Sequence, residues 1–183
     1  MALTKLNYTG QGTIPIAKIP NITGAKMPAG SVVQTIQGSS NARYVLNSAN
    51  TWENTGFVSL TFPNALQSNS KVLVRINVLL GEVGNSSWAS RTAVTIFENS
   101  TNKGHSDYGI CSASAHAEGS VNTQHAVESM SGELLFTPSV TNGTYTLYCR
   151  AAIAFSKTIG GTANTAATYP VGNTKVTLQE IKQ

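Results

Sequence analysis

The chain has 183 residues, 40% of them hydrophobic and only 11% charged, with 12 Lys and Arg against 8 acids for a net charge of +4. That length supports one sizeable core and is short for two. The basic residues form no run or basic helix, which argues against a nucleic-acid surface, and no stretch approaches the roughly 20 apolar residues of a membrane helix.

The charged fraction lies well below the roughly 25% usual for globular domains, so uncharged Ser, Thr and Asn must cover the surface, as in extracellular or virion β proteins. The opening MALTKLNYTGQGTIP lacks the apolar segment of a secretory signal. The expectation is a soluble protein made in a cytoplasm. The sequons at Asn7, Asn21, Asn85, Asn99 and Asn142 then read as chance products of an Asn-, Ser- and Thr-rich chain.

Residues 1–30 carry Pro15, Pro20 and Pro28 together with Gly10, Gly12, Gly24 and Gly30, which excludes a helix or a central strand. Ala17-Lys-Ile-Pro20 returns as Ala25-Lys-Met-Pro28, a repeat too short to form a core by itself. Ile14, Ile16, Ile19, Ile22 and Met27 are too many apolar groups for a freely solvated linker. The segment reads as an extended arm, and those five side chains as its contacts with neighbouring copies or a larger particle. The plain alternative is a strap packed on its own domain.

From residue 31 onward the pattern is that of strands. Residues 31–37 form the first and 56–62 the next, ended by Pro63-Asn64. The clearest is 71–80, where Val72, Val74, Ile76, Val78 and Leu80 share one face while Lys71, Arg75 and Asn77 fall on the other. Leu73 and Leu79 also lie on that outer face, an apolar surface for further copies to cover. Residues 91–98, 133–137, 144–155 and 175–181 continue the pattern. Between them, 100–131 is polar and reads as long loops with one or two short strands. Cys149 alternates in phase with Tyr145, Leu147, Ala151 and Ile153, so it reads as a buried thiol, with a bridge to Cys111 as the alternative.

About eight strands with turn clusters between them predict an all-β jelly-roll sandwich over 31–183, preceded by the arm. An immunoglobulin-like sandwich would show Cys, Trp and Cys in that order. Here Trp52 and Trp88 both precede Cys111.

Gly30-Ser-Val-Val-Gln-Thr, Phe57-Val-Ser-Leu-Thr-Phe-Pro, Ser70-Lys-Val-Leu-Val-Arg-Ile-Asn-Val and Lys175-Val-Thr-Leu-Gln-Glu-Ile resemble tail-fibre and virion structural proteins of marine and cyanobacterial phages. The resemblance spans residues 29–181. It implies a jelly-roll head similar to the C1q and tumour-necrosis-factor heads, associated as a homotrimer about a threefold axis. The stretch from Gly12 to Pro28 is similar to the short repeats that precede fibre heads, where three chains wind together.

Little else carries chemistry. His105-x-Asp107, His116-x-Glu118 and His125-x-x-Glu128 have alternate or near-alternate spacings, and a trimer would triplicate any one His, so these three histidines are weak metal candidates beside a solvated-loop reading. No Gly-x-Ser-x-Gly elbow accompanies the many serines. The glutamates at 53, 82, 98, 118, 128, 133 and 180 pair only if the fold brings them together. Neither a catalytic residue nor a cofactor is expected. Trp52, Trp88, Tyr108, Tyr169, Asn85, Asn99 and Asn102 are suited to sugar or receptor contact. The polar segment 100–131, with Asn102, His105, Asp107, Tyr108, His116 and His125, is the longest stretch able to supply a contact surface.

The expectation is a non-enzymatic phage virion protein, a tail fibre or fibre tip assembled in the host cytoplasm with other virion proteins and contacting a host-surface glycan or protein. A capsid decoration or cement protein, tying shell subunits together, is the first alternative. A free carbohydrate-binding module is the second.

Overall fold

Alternation in sequence becomes alternation in burial in β4 (Lys71–Glu82), where Val72, Val74, Ile76, Val78 and Leu80 are each at most 2% exposed and Arg75 and Asn77 face solvent. A computed structural model describes residues 27–82, 90–115, 127–152, 157–160 and 172–183. Among these residues there are eleven strands and no helix.

β4 is the axis of the first sheet. β8 (Val127–Phe136) pairs along one of its edges, from Val72↔Phe136 to Gly81↔Val127. A strand has only two edges, so β11 (Thr174–Ile181) and β10 (Lys157–Ile159) share the other. β1 (Val32–Ser40) adds to β11, and β2 (Tyr44–Val45) adds to β10.

β5 (Ser90–Glu98) is the axis of the second sheet. It pairs with β9 (Thr144–Ala151), which in turn carries β3 (Glu53–Thr61). The opposite edge of β5 is shared by β7 (Cys111–Ala115) and β6 (Thr101–Asn102).

Setting aside the short β2, β6 and β10, the first sheet takes the remaining strands in the order first, eighth, third, sixth, and the second in the order second, seventh, fourth, fifth. First with eighth, second with seventh, third with sixth and fourth with fifth are all antiparallel hydrogen-bonded pairs. The chain is therefore one long hairpin rolled around a core, which is a jelly roll. The predicted all-β sandwich is correct, and 71–80, 91–98 and 175–181 fall on β4, β5 and β11. The segment 100–131, read as long loops with one or two short strands, holds the short β6 and β7; it differs in its last residues, because β8 begins at Val127 and not at Glu133.

The inner faces meet in one apolar cluster. β9 contributes Tyr145, Leu147, Cys149 and Ala151, each fully buried, against Val176 and Leu178 of β11 and the five inward residues of β4. Phe62 and Phe136 pack on Tyr145 with ring centroids 5.8 and 6.1 Å away, so the start of β9 lies at the same end of the sandwich as the end of β8. The chain enters the sandwich at that end too: Gly30 N donates to Lys182 O, and Lys182 N donates to Ser31 O. The opposite end holds the close of β1, the start of β5 and the close of β9.

Two glycines set how closely the sheets approach at their sides. A Cβ on Gly38 of β1 would come within 2.9 Å of the Val58 and Leu60 side chains of β3, and one on Gly132 of β8 within 2.7 Å of Cys111 Cβ on β7. The second clash is with an atom fixed to the backbone, so no side-chain rotation relieves it. We expect Gly132→Ala to lower the unfolding free energy by about 1–3 kcal/mol, whereas Ser131→Ala, on the solvent face one residue away, changes it by less than about 0.5 kcal/mol. Chemical denaturation of the two variants checks this.

Candidate functional site

β5 reads Thr92-Ala-Val-Thr-Ile-Phe97, without a polar face. A strand of that composition is covered on both sides. Thr92, Val94 and Ile96 face the core, yet Ala93 and Thr95, which point the other way, are also at most 2% exposed. Their cover is the segment 102–110, folded back over the outer face of the second sheet.

Four anchors hold that segment. Lys103 Nζ lies 2.6 Å from Glu98 Oε2 and donates to Ser139 Oγ at 2.7 Å. Thr95 Oγ1 donates to Asn102 Oδ1 at 2.6 Å. Trp52 Nε1 donates to Ser106 O at 2.8 Å, with its ring edge-on to Phe97, which itself stacks on Tyr148 at 4.0 Å. Arg150 Nη1 donates to Asp107 O at 3.0 Å and to Asp107 Oδ1 at 2.8 Å. The tip is closed by reciprocal backbone bonds between His105 and Gly109, both 3.0 Å.

Beside this tip lies a recess of about 220 Å³. Arg91 and Arg150 open on it, and Asn50, Ala93, Asp107, Tyr108 and Ala152 complete the lining. The Arg91 guanidinium sits 4.5 Å from the centroid of the Tyr108 ring, which also stacks on His105 at 4.8 Å and is 47% exposed. Two guanidiniums thus face one carboxylate, itself already bonded to Arg150.

Of the residues expected at a contact surface, Asn102, His105, Asp107 and Tyr108 come together in this one segment, whereas His116 and His125 lie outside the described residues. His105 Nδ1 accepts the backbone N–H groups of Asp107 and Tyr108 at 3.0 and 3.3 Å, and Asp107 is turned to Arg150. Among the described residues no three His, Cys, Asp or Glu side chains converge. Trp52 anchors the loop, and Asn99 holds a left-handed turn (φ 53°) with its side chain accepting from Thr144 N. Trp88, Tyr169, Asn85 and, from the arm, Ile14, Ile16, Ile19 and Ile22 lie outside the described residues; Met27 is half-buried where the description begins.

The glutamates are dispersed into structural roles. Glu53 accepts from Tyr44 OH, Asn47 N and Ser48 N; the fully buried Glu180 accepts from Gln34 Nε2 and Gln67 N; Glu133 pairs with Arg75 at the surface. Glu118 and the side chains of Glu82 and Glu128 lie outside the description. Both cysteines are free thiols. Val94 pairs with Cys111 on one side and Cys149 on the other, so two strand spacings, about 9–10 Å, separate them, beyond the reach of a disulfide. Burial pushes the Cys111 thiol up to about 12.

Sequence reasoning missed Arg91, Arg150 and Asn50. Both arginines sit at outward positions of predicted strands, but their convergence follows from the Ala93↔Arg150 register, which neither segment states alone. No protein-family model matches the chain, and no curated protein matches it.

The anchor at Glu98 has a definite pH signature. Burial raises its pKa, but hydrogen bonds from Lys103 and Ser139 outweigh that and hold it below the ordinary carboxylate value. A depressed pKa contributes stability that is present above the unfolded-state value and lost as pH falls through the folded-state one. We expect Lys103→Met, which strands a carboxylate only 2% exposed, to cost about 3–5 kcal/mol at pH 7. The deficit should shrink in acid as Glu98 takes up a proton. Denaturation of both proteins from pH 7 down to pH about 3 reads the effect; a deficit constant over that range would contradict it.

Proposed function

We propose that this chain is a non-enzymatic structural protein of a bacteriophage particle, acting as the head of a tail fibre or fibre tip that touches the host surface. The observation that supports the reading is the polarity of the jelly roll. The chain enters beside Lys182 at one end, while the recess with its exposed Tyr108 lies toward the other, beside the start of β5 and the close of β9. A head held to a particle through its arm would therefore carry the recess on its far side. The sequence resemblance to phage fibre proteins agrees with that arrangement.

A homotrimer fits the same reading. On the outer face of the first sheet, half-buried Leu73 and Ile181 share an end with Val32 and Leu135, which are 42% and 47% exposed. A face of this kind is suited to burial against other copies, with the arm residues Ile14, Ile16, Ile19, Ile22 and Met27 docking on neighbouring subunits or particle proteins.

Purified protein should scatter light as a trimer at micromolar concentration, bind host cells and compete with phage adsorption. Removing residues 1–28 should weaken assembly and leave the thermal transition of the head in place. A monomer would remove the threefold arrangement. Absence of cell binding together with increased heat resistance of the phage shell would replace the fibre reading with capsid decoration.

A further inference from the structure

The recess on the second sheet has a more specific chemistry than a generic contact surface. Its two guanidiniums approach from different strands, Arg91 from β5 and Arg150 from β9, and the single carboxylate among its described lining, Asp107, is 2.8 Å from Arg150. A positive excess remains, carried by Arg91. A guanidinium stacked on an aromatic face keeps its N–H edge free for an oxyanion. The Tyr108 ring, which carries Arg91 over it and stacks on His105, is 47% exposed and presents an apolar edge with a polar tip. Ala93, with its single methyl group, is among the lining residues. At about 220 Å³ the space falls below the roughly 300–1,000 Å³ of sites for drug-sized ligands, so it suits one sugar ring and not an extended molecule.

We propose that this recess binds one acidic sugar unit, with its oxyanion between Arg91 and Arg150 and its ring against the exposed edge of Tyr108. The proposal rests on the reading of the head as a cell-surface contact, and it names the chemistry of that contact. The oxyanion would belong to a uronic acid carboxylate or to a sugar sulfate.

The test titrates full-length protein with sodium glucuronate, glucose 6-sulfate, glucose and sodium sulfate, followed by ligand-observed NMR. At least one of the two acidic sugars should bind about tenfold or more tightly than glucose and than bare sulfate, and binding should weaken as salt rises. Which acidic sugar binds better distinguishes the two sources. Arg91→Gln, at an exposed position, should lower the affinity about tenfold, the loss expected for one charge-assisted contact, with an unchanged melting temperature. Tyr108→Ala should lower it as well. Arg75→Gln, which removes the same charge from the other sheet, should leave it unchanged.

Equal binding of glucose and the acidic sugars, no binding of any of them, or equal losses in Arg91→Gln and Arg75→Gln would overturn the proposal. The parent reading fails separately. Protein that adsorbs to cells but ignores the acidic sugars keeps the host-contact function and loses this ligand. Protein that binds glucuronate through Arg91 but never adsorbs to cells keeps the site and loses the function.

Discussion

A carboxylate taken out of water needs hydrogen bonds and a counter-charge, or it holds a proton instead. Glu98 meets that demand by drawing in three separate pieces of the chain: Ser139 from the connection between β8 and β9, the Tyr145 hydroxyl from β9, and Lys103 from the segment after β6. Lys103 also lies 5.4 Å from the centroid of Phe136, on the other sheet. The two sheets and the loop that covers one of them therefore share a single electrostatic anchor. Lys103 is thereby held near the start of the covering segment, and His105, Asp107 and Tyr108 follow it along the outer face, where Trp52 and Arg150 hold them further.

The same dependence explains why the outer face of β5 is dry. Most one-sided sheets spread polar groups over their solvent face, but here Thr95 gives its hydroxyl to Asn102 and receives Gly104 N in return. His105 serves the backbone in the same way, its ring nitrogen accepting two amide protons. The loop is thus ordered by side chains that an inspection of composition would assign to binding.

Long, evenly alternating strands were legible in the sequence because burial imposes a period of two on residues such as Val72 to Leu80 and Tyr145 to Ala151. β8 was legible only from Glu133 on. Before Leu134 its inward positions include Gly132, bare because Cys111 already fills the space, and Met130, which is 4% exposed; one apolar residue beyond a bare position sets no period. β2 and β10, two and three residues long, are too short to carry a period at all. At the recess, Tyr108 and its loop neighbours could be singled out by polarity and length of segment. Arg91 and Arg150 could not, because a charged residue at an outward strand position is the commonest of patterns, and only the pairing of β5 with β9 makes the two meet.

The close approach at Gly38 and Gly132 bears on how such a protein stays out of trouble at high concentration. Antiparallel sheets end in strands whose unpaired amides and carbonyls are templates for runaway association. Here β1 lies along β3 and β8 along β7, each bordering strand facing its counterpart across a narrow corner where a side chain has been given up. A molecule nearly closed on itself in this manner offers little purchase for an added strand. Contact between copies is then left to the faces of the sheets, a route that does not lead to fibrous aggregates.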